Sequence, residues 1–327
     1  MAGGSHGLLA RAYYHVKPFL PLGLRWAVRR IRIPSILRRN ADSWPIDESA
    51  SGRPANWRGW PDGRKFALVF THDVESTAGL ENVRKLAELE MQHGFRSSFN
   101  FIPEGSYEDP EEIRAWLEAS GFEVGVHDLY HDGHLYESRE SFGLKAELIN
   151  RYLTKWRAVG FRSGFMLRQL DWLHDLNVLY DTSTFDTDPF EPQPEGSHTI
   201  FPFHVPPPAG VQGSGYIELS YTLPQDSTLF LLLREKTPAI WQRKLDWIAR
   251  NGGLALVNIH PDYIDFSNRK ISNDSYPAAL LTEFMEYIRS HYADAYWNPL
   301  AKDLAYWYHE RHAANGHAAT TPHRQES

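Results

Sequence analysis

Residues 65–75 read K-F-A-L-V-F-T-H-D-V-E, and residues 124–136 read V-G-V-H-D-L-Y-H-D-G-H-L-Y. In each, an apolar run (Phe66–Phe70, then Phe122–Val126) gives way to a burst of histidine and acidic residues. Apolar runs of this length read as buried strands, and the carboxyl ends of strands are where α/β proteins place their chemistry. The first burst offers His72, Asp73 and Glu75. The second offers His127 and His131, with Asp128, Asp132 and His134 beside them. Three or four such ligands converging on one rim are what a catalytic divalent metal needs, with one position left for water.

Outward from this stretch, strand-like runs fall at 66–71, 95–102, 122–127, 160–166, 177–182, 216–221 and 254–260. Helical stripes lie between most of them. Leu80, Val83, Ala87 and Met91 form one; Phe142, Ala146, Ile149, Leu153 and Trp156 a second, capped by Ser138. Trp241, Leu245 and Ile248 form a third, and Leu281, Phe284 and Ile288 a fourth. Strands alternating with helices imply right-handed βαβ units and a parallel sheet. Ligand-bearing residues at the ends of the first, third and seventh strands can meet around a barrel mouth, whereas an open sheet would spread them apart. The expected fold is therefore a distorted seven-stranded (β/α) barrel over residues 65–312. Asp186 to Gly215, with seven of the 21 prolines, reads as a binding loop or lid.

The order of these motifs resembles that of the polysaccharide deacetylases of the NodB-homology type (carbohydrate esterase family four). Their pattern is T-F-D-D ending the first strand, H-S/T-x-x-H after the third, R-x-P on the fourth, and a late strand ending in histidine. Here T-H-D-V-E stands at 71–75, H-D-L-Y-H at 127–131, F-R-S-G-F at 161–165 and L-V-N-I-H-P at 256–261. The resemblance covers roughly residues 60–295. It implies that His127 and His131 hold a divalent metal (zinc, with cobalt, nickel or manganese as alternatives). It makes Asp73 the base acting on the attacking water, Arg162 the partner that keeps Asp73 ionised, and His260 the acid for the leaving amine. It departs at two places. The second acidic position holds Val74, so the metal carboxylate falls to Glu75, one residue on and one carbon longer, or to Asp73, or the metal is lost. The R-x-P proline is replaced by Gly164.

The chemistry can be reasoned without the resemblance. Amide hydrolysis at neutral pH needs an activated water, a place for the oxyanion and a proton for nitrogen. A Lewis-acidic metal supplies the first two, and a carboxylate and a histidine serve as base and acid. The expected reaction is removal of an N-acyl group, acetyl above all, from an amino sugar of a glycan or lipid-linked saccharide. Rivals are a metal-independent amidohydrolase on the same fold and a saccharide-binding protein with a dead site. Tyr130 and Phe190 are candidates for stacking on sugar rings. One of Asp181, Asp186 and Asp188 is a candidate to orient His260.

Composition narrows the field. With 327 residues, 42% hydrophobic and 23% charged, the chain is globular rather than disordered. It has no cysteine, which excludes disulfides and thiolate chemistry and confines a metal to His and carboxylate ligands. Net charge is −7, yet residues 1–40 hold eight Lys/Arg and no acid. So acidic a body does not suit nucleic acid. Residues 1–64 read as a basic extension and linker, with 40–64 wrapping the domain, and the tail 313–327 as disordered. Leu24 to Ile33 has an apolar face of Leu24, Ala27, Val28 and Ile31 opposite arginines, with Pro34 as its stop. It could lie on an anionic membrane or pack on its own domain. Neither a secretory signal pattern nor a run of about 20 apolar residues is evident, so the expected location is cytoplasmic, peripheral to the inner membrane face if the arm binds there.

Overall fold

The structure, a computed structural model, describes residues 22–55, 57–210, 213–267 and 269–313, without the side chains of 22–28 and 312–313. The expectation for the tail thus falls almost wholly outside the described residues, and the side chains of three of the four residues of the expected apolar arm face lie outside the description too. Eight strands build the main sheet: β1 (Phe66–Val74), β2 (Ser97–Phe101), β3 (Glu123–His127), β4 (Gly160–Arg162), β5 (Tyr180–Asp181), β6 (Phe203–Val205), β7 (Tyr216–Glu218) and β8 (Leu254–Ile259). Their order is β8-β1-β2-β3-β4-β5-β7-β6, parallel except for β6 against β7. Beyond β7 the chain curls on to β8, where Leu223 bridges Val257. Seven parallel strands thus form a curled, barrel-like sheet, with β6 and the two-residue strand Tyr296–Trp297 added to it.

Strand periodicity sorts the side chains into two layers. From β1, Phe66, Leu68, Phe70 and Val74 enter the outer apolar layer beneath the helices, as do Val124 and Val126 from β3 and Ala255, Val257 and Ile259 from β8. The intervening residues Ala67, Val69, Leu254 and Leu256 form the inner cluster with Tyr180, Ile217 and Leu219. Along each strand this inner file turns polar toward the carboxyl end: Thr71 and Asp73, Asn100, His127, Arg162, Asn258 and His260. All are buried. The inner file is thus dry at the base and chemical at the mouth.

The base is plugged by tryptophans. Trp57 and Trp60 from the linker meet at 4.7 Å between ring centroids, and Trp60 stacks on Trp307 at 5.3 Å. Trp307 lies on the last helix, α7 (Ala301–Ala313), whose Ala301, Leu304 and Ala305 join the inner cluster.

The outer layer is covered by α2 (Thr77–Gln92), α4 (Arg139–Trp156), α5 (Ala239–Asn251) and α6 (Ala279–Tyr292), which match the four stripes, and by α3 (Glu111–Ala119). Neither α3 nor α7 was expected. The first helix, α1 (Leu22–Arg39), runs through Pro34 instead of stopping there. Ile33, Ile36 and Leu37 pack against the core on both sides of the proline, and this burial outweighs the one N–H bond that proline forfeits. Arg29 and Arg30 donate to the carbonyls of Phe190 and Leu231. The helix is therefore packed on its own domain, and the alternative of membrane contact finds no support here. Among the described residues, no helix is long and apolar enough to cross a membrane.

Two further expectations are corrected. The 160–166 run is a strand only to Arg162 and then turns tightly through Gly164–Met166. The proline-rich insert is not structureless, because it returns as β6. Within it Phe190 is 7% exposed and lies edge-on to Trp44 at 5.3 Å, so its ring is spent on core packing rather than open to a ligand.

Candidate active site

Asp73, Glu75, His127, His131, Arg162 and His260, drawn from four separate segments, meet at the mouth. His127 ends β3, and its Nδ1 donates to the Arg162 carbonyl at 3.1 Å. A carbonyl can only accept, so Nδ1 carries a proton, and Nε2 points inward. His131 follows a loop in which both Asp128 and His131 adopt left-handed backbone angles (φ of 56° and 54°). Its ring stacks on Phe165 at 4.4 Å. Neither His127 Nε2 nor His131 Nε2 has a hydrogen-bond partner, although both are buried.

Glu75 lies just beyond the end of β1 and faces these nitrogens. Its Oε1 is 3.2 Å from His131 Nε2, 3.9 Å from His127 Nε2 and 3.6 Å from His260 Nε2. One ligand atom from each of Glu75, His127 and His131 falls within a 4.8 Å span. Two orphaned imidazole nitrogens and a carboxylate oxygen at this spacing fit a divalent cation with N and O ligands. Burial alone would raise Glu75, but His131, His127 and His260 outweigh it and hold the carboxyl well below its usual range.

Asp73 is tied differently. Its Oδ1 accepts from Asn100 Nδ2 at 3.0 Å and Arg162 Nη1 at 3.1 Å, and its Oδ2 from Asn258 Nδ2 at 2.7 Å. His127 Nε2 stands 3.9 Å from Oδ2. Burial pushes this carboxyl up, but Arg162 above all, then His127, His260 and Asn100, brings it below the ordinary range. The guanidinium is itself fully enclosed and donates to Thr182 O, Asn258 Oδ1 and Thr71 Oγ1 besides Asp73. An arginine held in place by several hydrogen bonds, with one of its N–H groups on the carboxylate, is how a buried carboxylate is kept ionised.

On the far side, His260 Nδ1 donates to Asp226 Oδ1 at 2.7 Å. Asp226 Oδ2 in turn accepts from the His260 N–H and from Tyr276 Oη, both at 2.9 Å. Burial would lower His260, but Asp226, helped by Glu75 and Asp73, raises it to about 10. The ring is therefore held as imidazolium with Nε2–H directed at the cavity.

Not every candidate belongs here. His72 faces the outer layer, with Nε2 on Glu90 at 2.9 Å and Nδ1 on Ile259 O. Asp128 caps Leu129 and Gly164 amides, and Asp132 caps His134, which is exposed. Tyr130 is 42% exposed and open to a ligand. Trp172 packs on Phe142. The orienter of His260 is Asp226, not Asp181, Asp186 or Asp188, which bind Ser183, Lys244 and Tyr221 respectively. Asn100, Asn258 and Asp226 were all missed. Alternation could have placed Asn258 on the same face as His260. Nothing in the sequence marks Asp226, because the loop after β7 carries it back to β8.

The replacement of proline by Gly164 also has a cause. A Cβ at 164 would stand 2.3 Å from Asp128 Oδ2 and 2.8 Å from His131 Cδ2. This loop needs the space that a proline would fill, and the Arg162–Asp73 contact survives the change.

The same architecture is found in a protein from Mycobacterium smegmatis described as a polysaccharide deacetylase, which is 18% identical with a TM-score of 0.60 over 84% of this chain and 99% of that one. The fold is that of a polysaccharide deacetylase. A peptidoglycan deacetylase from Bacillus subtilis matches at 10% identity and TM-score 0.43, over 78% of this chain and 98% of its own. A carbohydrate esterase family four pseudoenzyme from Bacillus anthracis matches at 13% and 0.44, over 76% and 68%. The likeness of fold rests on the first of these. No family model matches the chain, and no curated protein matches it. Within the deacetylase fold, the six residues around the mouth are what this chain itself contributes.

Proposed function

We propose that the protein is a metal-dependent amide hydrolase that removes an N-acyl group, acetyl above all, from an amino sugar of a glycan or lipid-linked saccharide. The observation that carries this reading is the convergence of the buried Nε2 atoms of His127 and His131, neither of which makes a well-formed hydrogen bond, on the Glu75 carboxylate, with a base on one side and an acid on the other. Glu75, His127 and His131 would hold the ion. Asp73 is less suited to that task because both its oxygens are already engaged by Arg162, Asn100 and Asn258. Zinc fits two imidazoles and a carboxylate best, with cobalt, nickel or manganese able to replace it.

When bound, a divalent cation supplies Lewis acidity to a water and to the carbonyl under attack. The chain's own groups do the rest. Asp73, kept ionised by Arg162, accepts the proton of the attacking water as the new C–O bond forms. His260, protonated and oriented by Asp226, gives its Nε2 proton to nitrogen as the C–N bond breaks. Phe165, stacked on His131, braces the orientation of that ring. Tyr130 would stack on a sugar ring at the rim. We place the protein on the cytoplasmic side.

Metal analysis of the purified protein, with acetate release from N-acetylglucosamine oligomers before and after chelation, tests this. One divalent ion per chain, and hydrolysis lost on chelation and restored by Zn²⁺, is the expected result. Metal-free hydrolysis would transfer the reading to a metal-independent amidohydrolase. Sugar binding without hydrolysis in the metal-loaded protein would make it a binding protein.

A further inference from the structure

Glu75 stands outside the sheet ladder. The pairing of β1 with β2 ends at Val74 and Phe101, so no strand neighbour fixes the backbone of residue 75. A long, flexible carboxylate on an unpaired residue is a poor ligand unless something else holds it, because its rotamer freedom must be lost on binding.

The turn directly after His260 supplies that hold. Asp262 Oδ2 accepts the Glu75 N–H at 3.0 Å, and its Oδ1 accepts Ser76 Oγ at 2.5 Å. Tyr263 Oη donates to Glu75 Oε2 at 3.2 Å, which leaves Oε1 as the oxygen facing the histidines. The turn itself is pinned to α2, where Asn82 Nδ2 donates to the carbonyls of Pro261 and Ile264 at 3.0 and 3.2 Å. Asp262 reaches its place because residue 79 has no side chain. A Cβ on Gly79 would lie 2.2 Å from Asp262 Oδ2 and 2.4 Å from its Cγ. Gly79 sits in the first turn of α2 and is not marked by a positive φ, so its backbone does not call for glycine. Space for the Asp262 carboxylate does.

We infer that Asp262 and Tyr263, with Gly79 as the gap that admits them, are positioning residues that fix Glu75 as the metal carboxylate, the role that position 74 cannot fill. This rests on the metal reading above and adds to it. The acid His260 and the clamp on Glu75 then lie on one four-residue turn, so the distance between the proton donor and the carboxylate is set locally.

The test is titration of the metal-free chain with Co²⁺, followed by its visible absorption, in wild type and in Asp262→Ala, Asp262→Asn, Gly79→Ala and Tyr263→Phe, with thermal melts as a control for folding. Loss of groups that orient a ligand costs roughly 10–100-fold in metal affinity. Asp262→Ala and Gly79→Ala should fall in that range. Tyr263→Phe, which removes one hydroxyl and keeps the ring, should weaken binding several-fold. Asp262→Asn should bind within a few-fold of wild type, since its Oδ1 can still accept from Glu75 N–H while Nδ2 donates to Ser76 Oγ. A purely structural cap on α2 would instead shift the melts and leave Co²⁺ affinity unchanged. Folded Asp262→Ala and Gly79→Ala proteins that bind Co²⁺ like wild type overturn the inference, as does an Asp262→Asn no better than Asp262→Ala. If neither alanine variant folds, Tyr263→Phe decides, and wild-type affinity there overturns it. A wild type that takes up no Co²⁺ overturns the metal reading and this inference with it.

Discussion

Val74 and Glu75, neighbours in sequence, belong to opposite sides of the barrel wall: Val74 is fully buried in the outer apolar layer, and the Glu75 carboxylate faces His131 at 3.2 Å. An acid at position 74 would therefore not point at the histidines. Val74→Asp should place an uncompensated carboxyl in the outer apolar layer beside Phe101, its partner across the β1–β2 ladder, at a cost of roughly 3–5 kcal/mol if it stays ionised. It should gain nothing in metal affinity. Glu75→Gln should do the reverse, with near-normal stability and metal binding sharply weakened. Denaturant melts and metal titrations of the two variants check the pair, and a Val74→Asp protein that binds metal more tightly would contradict this geometry.

The pH dependence follows from Asp226 and His260. His260 is raised from 6.5 to about 10, so it remains a proton donor through neutral pH and loses that role only as pH passes through about 10. Hydrolysis should therefore hold well above pH 7 before its alkaline fall. Asp226→Asn removes the chief cause of the rise, and the alkaline limb should move down by roughly 1–3 units. The stability sign is the same. A basic group whose folded value lies above its unfolded one gives stability that is complete below about 6.5 and disappears as pH rises through about 10. Profiles of kcat/KM and melts across pH 6–11 measure both, and an unmoved limb in Asp226→Asn would assign the alkaline ionisation elsewhere.

Arg162 carries structure and chemistry together. Replacing it with methionine leaves Asp73 buried without its main counter-charge, and the loss of one member of such a pair costs roughly 3–5 kcal/mol. The carboxyl of Asp73 should also rise toward and above its ordinary range, since burial alone pushes it upward. Where the variant folds, the acid limb of hydrolysis should shift to higher pH. Lysine, with one point charge, cannot reach Thr182, Asn258, Thr71 and Asp73 together, so Arg162→Lys should restore little. Rates fully restored by lysine would mean that charge alone suffices.

How far the sequence discloses this arrangement depends on what kind of contact makes it. The barrel was legible because seven apolar runs and four helical stripes are local patterns, and the alternation of Thr71, Asp73 and Glu75 against His72 and Val74 is set by the two-residue period of a strand. The same period should have removed His72 from the site, since it falls on the side of Phe70 and Val74. Asp226 was not legible. It reaches His260 across 34 residues from a loop whose course is set by long-range contacts, among them the closure of Leu223 on Val257. Phe190 illustrates the opposite error. A proline-rich loop suggests an exposed ring, but Trp44, far away in the chain, offers it a partner.

Gly164 gives the last prediction. Its position corresponds to the proline of the R-x-P pattern, and restoring a side chain there should harm the site. A Cβ at 164 meets Asp128 Oδ2 at 2.3 Å and His131 Cδ2 at 2.8 Å. Asp128 holds the loop through the Leu129 and Gly164 amides at 2.7 and 3.2 Å, so it cannot give way without loosening the turn that presents His131. Gly164→Ala should therefore displace the His131 ring from Phe165 and weaken metal binding roughly 10-fold or more, as loss of ligand orientation does. Gly164→Pro should be worse, because it also removes the amide that donates to Asp128. Arg162, two residues earlier, is tied through its carbonyl to His127 and through its guanidinium to the Thr182 carbonyl and should stay in place, so Asp73 ought to keep its partner. Metal affinity lost, with the acid limb of any residual hydrolysis unmoved, would separate the His131 loop from the Asp73–Arg162 pair. Equal metal affinity in Gly164→Ala and wild type would show that the loop can yield without moving His131.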